Sequence, residues 1–156
     1  MDAMRTHYRF GSTWIVPSST EAVRALLEDV RGYGAWWPGV RVVEDVSSAT
    51  RRAARLEVRA PIGYRIRITI IESLTADDEL RVLMRGDLHG WCMWRMVPVR
   101  GGTRVAFAQE VEAQSRPLRL ASPVFHHMLA AQHERIMQAA ETGMRRALGE
   151  VPADPA

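Results

Sequence analysis

Lysine is missing altogether: all 21 basic residues of this 156-residue chain are arginine, against 18 acidic residues, for a formal net charge of +3. A pI near 9.7 points towards nucleic acid, but the surplus behind it is small, and GC-rich coding accounts for the arginine preference as readily as chemistry does. Arginine does suit planar phosphate contacts, so charge alone leaves the partner open. Cysteine is nearly absent too. Cys92 stands alone, which excludes an internal disulfide and disfavours a structural zinc site. No run approaches the roughly 18 consecutive apolar residues of a membrane-spanning helix, and Met1 to Phe10 lacks the apolar middle of a signal peptide. No membrane insertion is expected, and the expected location is the cytoplasm.

What is present is hydrophobic content of 47%, enough for one substantial core at this length. One domain is expected over residues 1–150, with a loose tail over 151–156. Tyr8 to Val16 reads as a strand ended by Pro17. Ser18, Ser19 and Thr20 then offer N-cap oxygens to a helix carrying Val23, Leu26, Leu27 and Val30 at helical spacing, broken by Gly32 and Gly34. Tyr33 to Pro38, with Trp36 and Trp37 between glycine and proline, reads as a second short helical turn.

Beyond Gly39 the period changes to two. Strands are predicted near Val40–Ser47, Arg52–Arg59, Tyr64–Leu74, Glu79–Gly86, Leu88–Val97 and Thr103–Ala113, joined by links short enough for hairpins. Alternation gives the sheet one apolar face, with Leu56, Val58, Tyr64, Ile66, Ile68, Ile70, Leu80, Val82 and Met84 opposed by Arg55, Glu57, Arg65, Arg67, Arg81 and Arg85. After Pro117 and Pro123 a long helix runs to about Leu148, with Phe125, Leu129, Ile136, Ala140, Met144 and Ala147 on one stripe. The fold class is therefore α+β: a curved antiparallel sheet of about seven strands around a long C-terminal helix, with two short helices after the first strand.

Several motifs fall in a telling order: Ser12-Thr13-Trp14, Tyr33-x-x-Trp36-Trp37-Pro38, Asp87-Leu88-x-Gly90 leading to Trp94, Gly102-Thr103-x-Val105, Ser122-Pro123-Val124, and His133-x-x-x-Met137-x-x-x-Glu141-x-Gly143. Together they resemble the START-like or SRPBCC superfamily, in its polyketide cyclase/dehydrase and lipid transport branch. The resemblance spans roughly residues 8 to 148 and implies the helix-grip fold with a cavity for a small hydrophobic molecule, lipid-like or polycyclic. It departs from the superfamily at Gly90-x-Cys92-x-Trp94, where a second glycine is frequent.

The expected ligand-contacting residues are Trp36, Trp37, Tyr64, Ile66, Gly90, Cys92, Trp94, Phe107, Leu129, Gln132, His133 and Ile136. The cavity is expected beneath the last helix, reached near Trp36-Trp37-Pro38, with room left by Gly90, Ala140 and Gly143. Trp36 and Trp37 are read first as core packing and second as a gate, while Trp94 either lines the site or fills it. The alternative function is a cyclase/dehydratase folding a poly-β-keto chain, with His133, Tyr64 and Gln132 as acid, base or orienting groups. Cys92 lacks a nearby base, and no serine sits in a nucleophile elbow. His126 and His133, seven apart, lie about 10 Å from each other along a helix, too far to share one zinc. No metal and no cofactor are expected, nucleic acid is disfavoured as a partner, and the assembly is a monomer or a homodimer.

Overall fold

The computed structural model describes residues 7–60, 63–113 and 123–149, without the side chains of Leu74, residues 123–126 and Leu129. Seven strands form one sheet: β1 (His7–Val16), β2 (Val40–Asp45), β3 (Ala53–Arg59), β4 (Arg65–Ala76), β5 (Glu79–Gly86), β6 (Leu88–Val99) and β7 (Gly102–Ala113). Between β1 and β2 lie helix α1 (Thr20–Glu28), a 3-10 turn (Val30–Gly32) and helix α2 (Tyr33–Trp36); helix α3 (Pro123–Ala147) closes the chain. Every pairing is antiparallel and the spatial order is β1-β7-β6-β5-β4-β3-β2. Strands β2 to β7 make the predicted meander, and β1 adds to the far side of β7. Its two neighbours in sequence, β1 and β2, are thus opposite edges, and the short helices must carry the chain from one to the other.

Local chemistry explains these elements. The Ser19 hydroxyl accepts from the Ala22 amide at 3.2 Å and caps α1, and Arg24 pairs with Glu28 one turn later at 2.8 Å. The apolar parity read from the strands is the inner face: Leu56, Ile68, Ile70, Leu80, Met84, Cys92, Trp94, Val105 and Phe107 are buried. Ile66, Val82 and Ile136 are only half-buried, because they border the cavity described below. On α3, Met137, Ala140, Gly143 and Met144 are buried, whereas Ala147 is exposed, so the packed stripe ends a turn earlier than its sequence period predicts. Phe125 and Leu129, the other members of that stripe, and the tail over 151–156 lie outside the described residues.

The outer face departs from expectation at two charged positions. Glu57 is buried beneath Arg41, Arg65 and Arg67, whose nitrogens stand 3.4–3.8 Å from its carboxylate. Arg81, expected in solvent, lies half-buried over the Trp91 ring at 5.1 Å and pairs with Glu79. A guanidinium stacks on an indole face readily, which keeps the arginine stem down.

Two glycines set how closely main chains approach. A Cβ on Gly143 would lie 1.6 Å from the Trp36 carbonyl oxygen, so α3 touches α2 backbone to backbone. A Cβ on Gly90 would lie 2.1 Å from the Glu110 carbonyl oxygen, so β6 presses onto β7 there. Glycine in a helix interior ordinarily costs about 0.5–1 kcal/mol relative to alanine. At position 143 the sign reverses: Gly143→Ala is expected to lower stability by about 2–3 kcal/mol through overpacking. Urea unfolding of the variant checks this, and a stabilised variant would contradict the contact.

Candidate functional site

A cavity of about 300 Å³ lies between the inner sheet face and α3. Its sheet wall is built from alternate residues: Ala54, Leu56 and Val58 of β3, Ile66, Ile68 and Ile70 of β4, Leu80, Val82 and Met84 of β5, Cys92 and Trp94 of β6, and Phe107 and Gln109 of β7. Helix α3 contributes His133, Ile136 and Met137, and the segment before β2 contributes Leu27, Val30, Tyr33 and Trp37. The seven-stranded sheet is broader than one helix can cover, and the uncovered width lies under β3 to β5. Those strands, with the chain folded over them from α1, enclose the free volume.

Aromatic rings form a continuous path along one wall. Trp36 stacks on Trp37 at 5.4 Å, Trp37 meets Trp94 edge-on at 6.0 Å, Trp94 meets Phe107 at 4.7 Å, and Phe107 leads to His133 at 6.0 Å. The imidazole of His133 lies flat on Phe10 at 3.7 Å. Trp37 is held in place by its indole N–H, which donates to the Ile136 carbonyl at 3.0 Å. The Tyr33 hydroxyl donates to the Leu27 carbonyl, fixing the turn between α1 and α2.

Polar groups are few and sorted by place. Inside, His133 Nε2 and Gln109 Oε1 are 2.8 Å apart, and Gln109 Nε2 donates to the Met84 sulfur at 3.1 Å. Burial holds the His133 imidazole down at about 4, so it is neutral at physiological pH. Burial likewise pushes the Cys92 thiol up to about 12, and without thiolate it has no nucleophilic character at neutral pH. At the mouth stand Glu28, Asp29, Arg31, Asp45, Ser47, Arg52 and Glu72. Arg31 Nε donates to Asp45 at 2.8 Å, and Arg52 spans Glu28 at 3.5 Å and Glu72 at 3.2 Å, tying the end of α1 to β2 and β4. Hydrogen bonds from Ser47, then the Arg31 guanidinium, hold the Asp45 carboxyl down at about 2.

Of the residues expected at the ligand, Trp37, Ile66, Cys92, Trp94, Phe107, His133 and Ile136 line this cavity. Trp36, Tyr64, Gly90 and Gln132 do not, and the Leu129 side chain lies outside the described residues. Trp36 is buried behind Trp37, Tyr64 precedes the start of β4, and Gln132 is buried in the packed side of α3. Small residues do not supply the room either. The space beside Gly90 and Gly143 is occupied by main chain, and Ala140 is fully buried. Nor is the charged mouth at Trp36-Trp37-Pro38; it lies where α1 ends against β2 and the start of β3. Gln109 was not anticipated, although its inward parity with Val105, Phe107 and Val111 marks a polar residue on an apolar face.

No protein-family model matches the chain, and no curated protein matches it. Solved structures do. The ZhuI aromatase/cyclase from a Streptomyces strain superposes with a TM-score of 0.71 at 18% identity, covering 90% of this chain and 93% of that one. The chain has the START-like helix-grip fold. A START superfamily protein from Mycobacterium smegmatis gives a TM-score of 0.69 at 15% identity over 90% and 96% of the two chains. The di-domain ARO/CYC protein BexL gives 0.73 at 12% identity over 93% of this chain, which spans only 51% of that one. These identities establish the helix-grip fold and leave the chemistry to the cavity itself. Among the described residues, no helix is long and apolar enough to cross a membrane.

The low basicity of His133 has a consequence for stability. Its folded value lies near 4 against an ordinary 6.5, so between those values the unfolded chain binds a proton that the folded chain refuses. That contribution is complete above pH 6.5 and is lost as the pH falls towards 4, up to about 3 kcal/mol. Urea unfolding at a series of pH values is expected to show a steeper acid loss for the wild type than for His133→Gln. Parallel curves would mean that the imidazole is as basic as in water.

Proposed function

We propose that this protein binds a small, largely apolar molecule inside the sheet-helix cavity. The observation that carries this reading is the cavity's composition: about 300 Å³ of space walled mainly by aliphatic and aromatic side chains, with the pair of His133 and Gln109 inside and the charged groups at the mouth or, for Arg81, turned outward over Trp91. That volume lies at the lower end of the range of small-molecule sites, which are mostly apolar with a few placed polar groups. The fold shared with an aromatase/cyclase and a START superfamily protein accords with such a role.

A polyketide cyclase/dehydratase activity is not favoured. Of the three groups that such chemistry would recruit, Tyr64 and Gln132 do not line the cavity. The third, His133, holds a proton too weakly to serve as an effective base near neutrality, since efficient proton transfer calls for a pKa near the working pH.

Trp37 and Trp94 in the wall supply an intrinsic readout. A hydrophobic naphthalene-based probe is expected to quench tryptophan emission saturably in the wild type. Val82→Phe, which extends a half-buried side chain into the cavity, is expected to weaken binding at least tenfold and cost less than about 1 kcal/mol in stability, because free volume accepts added atoms better than a packed site. Val105→Phe, at a fully buried position outside the cavity, is expected to cost about 2–3 kcal/mol. Equal destabilisation by both, with no saturable quenching in the wild type, would show packed core where the cavity is drawn.

A further inference from the structure

The polar pair inside the cavity can be resolved to single atoms. The thioether of Met84 carries no hydrogen and can only accept, so the atom of Gln109 facing it at 3.1 Å is the amide nitrogen. The amide oxygen of Gln109 then faces His133 Nε2 at 2.8 Å and can only accept. A neutral imidazole carries one proton, and this contact places it on Nε2. Nδ1 is then the ring nitrogen without a hydrogen and can only accept. One face of the ring is covered by Phe10 at 3.7 Å and Phe107 stands 6.0 Å away, so the ring reaches polar partners only through its edge.

On the reading that the cavity holds an apolar molecule, we infer that His133 Nδ1 is the acceptor that selects it, and that the ligand class is a neutral apolar molecule bearing a hydroxyl group. The hydroxyl donates to Nδ1. An ether or a bare hydrocarbon of the same shape offers Nδ1 no donor, and an acceptor covered without one is costly in an apolar site. A carboxylic acid is selected against as well. Of the arginines that border the cavity, Arg31 and Arg52 stand at its mouth, already paired with Asp45, Glu28 and Glu72, and Arg81 turns its guanidinium outward over Trp91 and pairs with Glu79. With all three lining guanidiniums already engaged, a carboxylate arriving beside His133 and Gln109 would be buried unpaired.

The test compares naphthol, methoxynaphthalene and naphthoate by quenching of Trp37 and Trp94, together with nitrogen NMR of the histidine ring in the wild type. Naphthol is expected to bind about tenfold tighter than its methyl ether, with naphthoate weakest, and the His133 signals are expected to report the Nε2–H tautomer with Nδ1 unprotonated. The double variant His133→Phe/Gln109→Leu removes both partners together, so neither polar group is stranded, and it is expected to bind naphthol and methoxynaphthalene equally. Equal affinities in the wild type, tightest binding of naphthoate, an Nδ1–H tautomer, or a preference for naphthol that survives in the double variant would each overturn the selection while leaving an apolar cavity intact. Failure of both neutral compounds to bind would instead overturn the cavity reading, and this one with it.

Discussion

The contact between Gly143 and the Trp36 carbonyl fixes where the long helix lies, and the cavity follows from that position. With no side chain at 143, α3 rests on the main chain of α2, and the Trp37 indole fastens to the Ile136 carbonyl about two turns earlier on the same helix. Both contacts are to backbone, which cannot rearrange as a side chain can. They hold the C-terminal half of α3 at a set distance from the sheet. From there the helix runs across strands whose number exceeds what it can cover. About 15 Å along its axis from Gly143, His133 meets Gln109 across the gap.

The cavity is held open by rigid walls rather than by weak packing. Trp37 meets Trp94 edge to face and Trp94 leans on Phe107 at a tilt, so each ring limits the motion of the next. Burying this pair costs less because each partner gives the other one hydrogen bond, and burial leaves the imidazole neutral. The mouth follows a different physics. Its carboxylates and guanidiniums sit in water, where exposed pairs contribute at most about 1 kcal/mol each. Arg31 to Asp45 and Arg52 to Glu28 and Glu72 therefore join α1, β2 and β4 by contacts that water can replace, across the opening that a ligand has to pass.

The strands were legible in the sequence because a half-covered antiparallel sheet writes its faces into alternate residues. Leu56 and Val58 against Arg55 and Glu57, or Ile66, Ile68 and Ile70 against Arg65 and Arg67, leave little freedom in register. The site was legible only in part. Trp94, Cys92, Ile66 and His133 were expected at the ligand and line the cavity. Gly90 and Gly143 were misread as room for a ligand, whereas small residues on facing elements allow those elements to close on each other, and neighbouring main chain takes the space. The mouth could not be read at all. It joins Glu28 and Arg31 to residues 14 or more positions away, and only the crossing from β1 to the opposite sheet edge brings them together.

Side-chain methyl NMR gives the most direct test of a cavity at this place in the fold. Ile66, Ile68, Ile70 and Ile136 line it, while Ile15 is 47% exposed on the outer side of β1 and Ile71 has the outward parity of β4. Titration with naphthol is predicted to shift the first four methyl signals along one saturating curve and to leave Ile15 and Ile71 in place. Saturable shifts confined to Ile15 and Ile71, or an unchanged spectrum at saturating naphthol, would contradict an apolar site between the sheet and the helix.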